Sequence, residues 1–518
     1  MTKHLPSNWA EALLSEVTEI NPPNPSKVPS DSALVSFVPM AAVEEMTGRM
    51  DATVAKKWSE VRKGYTRFQE GDVVMAKITP SMENGKAAFA RGLIGGIGAG
   101  TTEFHVFRPR EGVEGRFILH YLLQESFRRQ ARARMTGTAG QLRVPIQFLE
   151  EQQLPLPPTN EQQRIVDAVE SYLSRFDAAV ASLERVHTKL KAYRASVLNA
   201  AVEGRLVPTE AEIARQEGRD YEPAQVLLDR ILKERRRRWE EAELARLQKA
   251  GKPPKDDKWK AKYEEPAPPD ASKAPELPEG WCWVRLEQVT EVQLGQQRAP
   301  VHAGAEEQIP YVRAANITWE GLDLSDVKKM GFPNPERYRL RWGDVLLSEA
   351  SGSPMEAGKP AIWRDEIPGA CYQKTLLRVR AIDERALLPE FLRLVFLRDC
   401  VTGKFARLAP GVGIVHLTAE RMLVWLIPLP PVEEQRRIVE EVERLESVQR
   451  VSMKMVADTQ RRTVRLRQSI LRWAFEGKLV DQNPSDEPAE KLLARIKAER
   501  ATAAPVKESR ARKAKAAS

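Results

Sequence analysis

Only three cysteines, Cys282, Cys371 and Cys400, occur in 518 residues. They are too few and too scattered for a disulfide framework or a structural zinc site, which suits a reducing compartment and sets the cytoplasm as the expected location. Long apolar runs are missing as well: Met422 to Ile427, the longest, stops at Pro428, far short of a bilayer span. The opening MTKHLPSNWAEALL has no apolar export core. Six histidines, His4, His105, His120, His187, His302 and His416, show no metal-ligand spacing, so no metal is expected. Gly-x-Ser-x-Gly, His-Glu-x-x-His and Walker patterns are also absent. No catalytic residue is therefore assigned, and the chain is expected to be non-catalytic.

What is present is length, charge and repetition. A chain of 518 residues exceeds what one core usually organises, so several domains are expected. Lys and Arg number 81 against 72 Asp and Glu, a net charge of +9 that favours a polyanionic partner.

The chain is one unit written twice. LPSNWAEALLSEVTEI from Leu5 returns as LPEGWCWVRLEQVTEV from Leu277, 272 residues later, and Gly71-Asp72-Val73-Val74 returns as Gly343-Asp344-Val345-Leu346 at the same offset. LPLPPTNEQQRIVDAVE from Leu154 matches IPLPPVEEQRRIVEEVE from Ile427, and VEGRLV from Val202 matches FEGKLV from Phe475, both at 273. A shorter echo joins EPAQVLLDRILKER from Glu222 to EPAEKLLARIKAER from Glu487. Two long copies describe homologous halves and exclude a solenoid, which needs many short units.

Each half reads as a β-rich globule followed by a long helix. Runs such as ALVSFVPM, GDVVMAKITP and TTEFHVFRP predict strands, with one helix from Phe117 to Met135; the second half repeats this, with a helix from Glu390 to about Val401. After Pro-Leu-Pro-Pro, a heptad seam runs through Ile165, Val169, Tyr172, Phe176, Ala179, Leu183, Val186, Leu190, Tyr193, Val197 and Ala200. Thr159-x-x-Gln162 offers a capping box and Gly204 a stop. His187 reads as a solvated flank of that seam. The second seam, from about Glu433, is diluted by Gln449, Ser452, Thr459 and Thr463. Predicted boundaries are 1–158 and 277–431 for the globules, 159–208 and 432–481 for the helices, 209–276 for a charged helical and Pro-rich linker, and 482–518 for a helix with a disordered basic tail from Ala504.

Two motifs read as turns. Asn21-Pro22-Pro23-Asn24 lacks the aromatic that a base-holding Asn-Pro-Pro motif needs, and GLIGGIGAG from Gly92 lacks the Gly-Lys-Ser/Thr ending of a phosphate loop. Basic residues at matched places in both halves carry more weight. Lys86 and Lys359 sit in Gly-Lys turns, and the loops RRQARARMTGTAGQLRV and LRDCVTGKFARLAPGVGIVHL follow the globular helices. Candidate DNA-binding residues are Lys77, Lys86, Arg132, Arg134, Thr136, Thr138, Gln141 and Arg143 in the first half, and Lys359, Lys404, Arg407 and His416 in the second. Such side chains combine phosphate anchoring with donors and acceptors for base edges; the alternative for each is a plain surface loop.

Two variable globules, each closed by Pro-Leu-Pro-Pro-x-x-Glu-Gln-x-Arg-Ile-Val and a heptad helix ending in Glu-Gly-x-Leu, resemble the specificity subunits of type I restriction-modification systems over almost the whole chain. The resemblance implies an α+β architecture: two mixed α/β target-recognition globules, joined by two long antiparallel coiled-coil helices with pseudo-twofold duplication. It implies sequence-specific recognition of an asymmetric bipartite site in double-stranded DNA. It also implies docking of two methyltransferase subunits and of restriction-translocase subunits. Docking would fall to Glu161, Gln162, Ile165, Val169, Glu434, Gln435, Ile438 and Val442. No cofactor is assigned to this chain; S-adenosylmethionine, ATP and Mg2+ would belong to the partners. A methylation-only or other defence complex, a single-chain restriction-methylation enzyme and a coiled-coil scaffold remain as alternatives.

Overall fold

The computed structural model describes residues 5–138, 140–299, 306–351, 356–408 and 415–503. The tail from Ala504 and the loop 409–414 lie outside them. Two compact units divide the chain: residues 1–184 with 457–518, called unit 1, and residues 185–456, called unit 2.

Unit 1 is built on a four-stranded antiparallel sheet in the order Thr18–Ile20, Phe104–Pro109, Val73–Ala76, Ala87–Phe89. Every side chain of Val73–Ala76 is buried because both faces of the sheet are covered. Strand alternation sends Val73 and Met75 to one side, against Phe117 and Ile118 of the helix Gly115–Leu122. Val74 goes to the other side, with Ala88, Val106 and Phe68. Phe68 belongs to a second sheet in the order Ala55–Lys57, Leu34–Val38, Ile97–Gly100, Thr66–Gln69. Its glycines come from the GLIGGIGAG run, a turn leading into a strand: a Cβ on Gly98 would lie 2.2 Å from the Phe68 ring, so only glycine fits.

Unit 2 repeats this plan. Its main sheet orders Thr290–Leu294, Leu376–Ala381, Val345–Ser348, Pro360–Ile362. Val345 and Leu347 face one core, Leu346 the other. In both units the first and last strands of the globule clamp together: Ala10–Leu13 on Gln153–Leu156, and Cys282–Arg285 on Leu426–Leu429. The last strand thereby delivers the chain to its long helix, Thr159–Val202 or Val432–Ala474. Each helix is roughly 65 Å long at about 1.5 Å per residue.

Within each unit the two helix segments run antiparallel. Unit 1 pairs Asp177 with Arg467, while Glu161 near the start of the first helix meets Gln482 just past the end of the second; unit 2 pairs Arg194 with Glu446 while Gln449 donates to the Leu190 carbonyl. Numbers fall on one segment as they rise on the other.

Each globule is completed by the tail of the other half. In unit 1, Ile470, Leu471, Ala474 and Phe475 pack on Phe117 and Tyr121, and the tail helix Ala489–Ala503 adds Leu492 and Ile496. In unit 2, Leu198, Ala201 and Val202 join the tail helix Ala224–Lys249 through Leu227, Leu228 and Ile231. Fully buried side chains of this size stabilise by about 1.5–3 kcal/mol each. The stretch 209–276 is thus more than a linker: the first turns of its helix Ala224–Lys249 form part of a core, while the rest of that helix and the Pro-rich remainder lie at the surface.

Three local expectations change and one holds. The helix expected from Phe117 to Met135 breaks at extended Gln124, where the Glu125 N–H is capped by Gln468, giving Gly115–Leu122 and Glu125–Arg134. The Thr159 capping box does not form: Thr159 is already helical and its hydroxyl donates to the Gly112 carbonyl. The heptad seam is offset by one residue along part of its length. Tyr172, Val186 and Tyr193 are exposed, whereas Leu173, His187 and Arg194 are half-buried. Polar seam residues are tolerated because they are paired, Arg194 with Glu446 for example. The second long helix is continuous, its diluting Thr463 satisfied by the Thr459 carbonyl.

Candidate nucleic-acid interface

In unit 1 the loop after Glu125–Arg134 closes as a hairpin, with Thr136 and Arg143 exchanging backbone hydrogen bonds at 3.0 and 2.9 Å. Gly137 (φ 129) and Gly140 (φ 81) make its turn, in backbone conformations that favour glycine. The Val144 N–H donates to the Lys77 carbonyl, and the Lys77 N–H donates to the Glu103 carbonyl, so the hairpin sits on a ladder that leads into the central strand. Thr136, Thr138 and Gln141 are exposed on the hairpin, and Arg132 and Arg134 are exposed on the helix before it. Arg143 is held by two 2.9 Å bonds to Glu103 yet stays partly exposed. A flexible amide, two hydroxyls and three guanidinium groups thus share one surface.

Behind it lies a group that the sequence did not flag. Buried His105 meets the Val144 carbonyl at 2.9 Å through Nε2 and the Asn21 side chain at 3.0 Å through Nδ1. Burial lowers its pKa, so the ring is neutral near pH 7. Asn21, at φ 54, also accepts from the Val106 N–H, so Asn21-Pro22-Pro23-Asn24 is a turn that fastens strand to hairpin.

Unit 2 has the same ladder. The Leu417 N–H donates to the Glu349 carbonyl and the Glu349 N–H to the Thr375 carbonyl, while Ala350 pairs with His416. His416 Nδ1 lies 2.8 Å from Glu349 Oε1 on an exposed surface, and Arg407 is exposed nearby in sequence.

Three lysines assigned to phosphates are turned inward instead. Lys86 donates to the Met40 carbonyl at 3.2 Å. Lys359 is 13% exposed, 3.5 Å from Glu356 and over the Trp319 ring. Lys404 is half-buried, 3.8 Å from Asp399 and 4.7 Å above Trp425, and burial lowers its pKa. Lys77 is half-buried, and its assigned place is on the ladder.

The residues assigned to partner docking are likewise internal. Glu161 accepts from Trp9 at 3.0 Å, Asn8 at 3.4 Å and Gln482 at 2.6 Å. Gln162 accepts from the Glu114 N–H and donates to the Pro157 carbonyl; Gln435 does the same with Leu388 and Pro430. Glu434 accepts from the Glu210 N–H, while the nearby buried Trp281 indole, in the place of Trp9, makes no bond of normal geometry. Burial raises the Glu161 pKa and pushes that of Glu434 up to about 7. Ile165, Val169, Ile438 and Val442 are buried in the cores. These eight side chains hold globule to helix, so they have no surface to offer a partner. An exposed apolar stripe exists elsewhere, at Val448 (59% exposed), Val451 (61%) and Met455 (64%), spaced as one helix face.

The repeated Gly-Asp strand also hides a role. Asp72 is buried and bound twice by Arg108, at 2.9 Å each; Asp344 is bound twice by Arg380, at 2.6 and 2.7 Å.

The family described as type I restriction modification DNA specificity domain matches residues 6–191. The specificity subunit of the type I restriction enzyme EcoAI, from Escherichia coli, is 30% identical over 502 residues, covering 85% of this chain and 78% of that protein. The chain belongs to the type I restriction enzyme specificity subunits. A second specificity subunit, that of EcoEI from Escherichia coli, is 28% identical over 85% of this chain and 78% of its own length. The HsdS subunit from Thermoanaerobacter tengcongensis shares the fold, with a TM-score of 0.54 at 22% identity over 92% of this chain and 99% of that one. A chain from a structural study of complex assembly and conformational transition of the type I R-M system does so at a TM-score of 0.61 and 21% identity, over 92% and 99%. The expected α+β architecture is that of this family. Among the described residues of this specificity subunit, no helix is long and apolar enough to cross a membrane.

Proposed function

We propose that this specificity subunit reads an asymmetric, two-part site in double-stranded DNA, one part per unit, and carries the partners that modify and cut it. The observation that supports this most is the shared ladder with different side chains: Lys77, Glu103 and Arg143 in unit 1 occupy the places of Glu349, Thr375 and His416 in unit 2. One scaffold presenting two donor and acceptor sets fits two unlike half-sites. Arg132 and Arg134 anchor phosphates, while Thr138, Gln141, Arg143 and His416 face base edges.

The chain itself performs no chemistry. S-adenosylmethionine, ATP and Mg2+ are used by the methyltransferase and restriction subunits, and the exposed stripe at Val448, Val451 and Met455 serves protein docking in place of the buried Glu-Gln pairs. The test is the methylated motif of the assembled complex, mapped genome-wide. Gln141→Ala is expected to relax one base of one half-site, and His416→Ala one base of the other, each by about 1–3 kcal/mol of discrimination. Motifs unchanged in both variants would refute the assignment.

A further inference from the structure

At the end of the strand Phe104–Pro109 in unit 1, and of Leu376–Ala381 in unit 2, away from the ladder, each unit has an open cleft between its tail helix and the loop after that strand. In unit 1 the cleft measures about 400 Å³ and is framed by Glu111, Arg495 and Glu499. In unit 2 it measures about 550 Å³ and is framed by Asp383, Arg230 and Glu234, the matching residues of the duplicated sequence. The arginine is anchored alike in both, Arg495 on Glu487 at 2.7 Å and Arg230 on Glu222 at 2.9 Å.

What differs is the addition to this frame. Lys233, Arg237 and Arg385 of unit 2 stand where unit 1 has Ala498, Thr502 and Val113, and Arg238 adds a fourth cation. With Glu222 counted beside Arg230 as Glu487 is beside Arg495, five cations face three carboxylates in unit 2, a net charge of +2, whereas the unit 1 cleft holds one cation and three carboxylates, a net charge of −2. Arg237 and Arg238 are partly spent on Glu234, at 2.7 and 2.8 Å. Lys233 and Arg385 are exposed and, among the described residues, have no carboxylate within ion-pair distance.

The recognised DNA is not the occupant. The strand Leu376–Ala381 separates the ladder at Thr375 from the cleft at Asp383, and six residues at about 3.3 Å each span on the order of 20 Å. Carboxylates inside the cleft also repel a phosphate track, whereas a peptide backbone has N–H groups to offer them. We propose that the unit 2 cleft seats an acidic segment of a protein partner, a contact that unit 1 lacks. This rests on the reading that two copies of one methyltransferase subunit assemble on the chain. Two identical copies meeting two matching faces of opposite charge are held with unequal strength.

The complex made with the methyltransferase subunits encoded beside this chain provides the test, by native mass spectrometry at increasing ammonium acetate. Lys233→Glu with Arg385→Glu is expected to release one of the two copies at a salt concentration where the parent keeps both, with about tenfold weaker binding. Ala498→Lys with Thr502→Arg in unit 1 is expected to make the retained copy more salt-dependent. A fluorescent twelve-residue peptide of alternating Glu and Ala should bind the full chain and lose its binding in the Lys233/Arg385 variant. Unchanged stoichiometry across salt in that variant would overturn the proposal, and so would preference of the cleft for polyphosphate or for an unrelated duplex over the peptide. The methylated motif separates the two readings: if it stays intact while stoichiometry does not respond, the cleft assignment fails and the DNA reading stands.

Discussion

Unit 1 sets Lys77, Glu103 and Arg143 around its hairpin, and unit 2 sets Glu349, Thr375 and His416 on the same backbone ladder. In unit 1 the interacting pair is Arg143 with Glu103; in unit 2 it is His416 with Glu349, so the carboxylate has moved from one strand of the ladder to another. Beneath these differences the supports are alike, with Asp72 and Asp344 each gripped twice by an arginine and Gln162 and Gln435 each bridging globule to helix. Duplication has therefore kept what holds the backbone and released what faces outward.

That contrast makes graded demands. The largest concerns the shared supports: Asp72→Ala leaves the half-buried Arg108, and Asp344→Ala the buried Arg380, without its carboxylate, and each should cost up to about 3–5 kcal/mol. Hydrogen exchange should show matched losses of protection in Phe104–Pro109 and Leu376–Ala381. Loss in only one of them would break the equivalence of the units.

A middle-sized effect separates the two buried glutamates. The Glu434 carboxyl titrates near 7, so its ionisation opposes folding as pH rises from the ordinary carboxylate range through about 7. Glu434→Gln should leave stability unchanged at pH 5 and raise it at pH 8, by on the order of 2 kcal/mol. At Glu161 three donors meet the carboxylate, so Glu161→Gln turns an amide toward them and should destabilise at pH 8. Equal responses in denaturant melts at the two pH values would erase this distinction.

The smallest effect sharpens the division between outward and inward cations. Arg134→Ala should reduce the salt slope of DNA binding by the assembled complex by about 0.9, one phosphate contact, while Lys86→Ala leaves it unchanged. A change of slope with Lys86 would return that residue to the interface.

The duplication, the strands and the ends of the long helices were legible because period-two alternation, prolines and Glu-Gly stops leave direct marks. The exposed Thr138 and Gln141 were legible as a polar loop on glycine turns, whereas Arg132 and Arg134, read in that same loop, lie on the helix Glu125–Arg134. Lys86 and Lys359 were misread because a Gly-Lys turn says nothing about which way the lysine points; that depends on the Met40 carbonyl and on Trp319, both distant in sequence. The Glu-Gln pairs were misread for a related reason. Strongly polar residues at a helix start look like surface, and only the donors brought by Trp9, Gln482 and Glu210 make their burial tolerable. The seam shifted because its apolar stripe is wider than one heptad face, and the polar residues Glu446 and Gln449 decide which edge faces inward.

Reciprocal tails carry an evolutionary consequence. A half-length ancestor bearing one globule, one long helix and one tail helix would have left its own globule open, since the tail of each half closes the globule of the other. Two copies would have closed each other, and the match of Leu227 and Ile231 with Leu492 and Ile496 keeps the exchangeable contact in both halves. The reciprocal packing of the two halves is the arrangement that a swapped homodimer has between separate chains, here held within one chain. Once joined, the two ladder surfaces no longer had to be identical, and each half was free to change on its own.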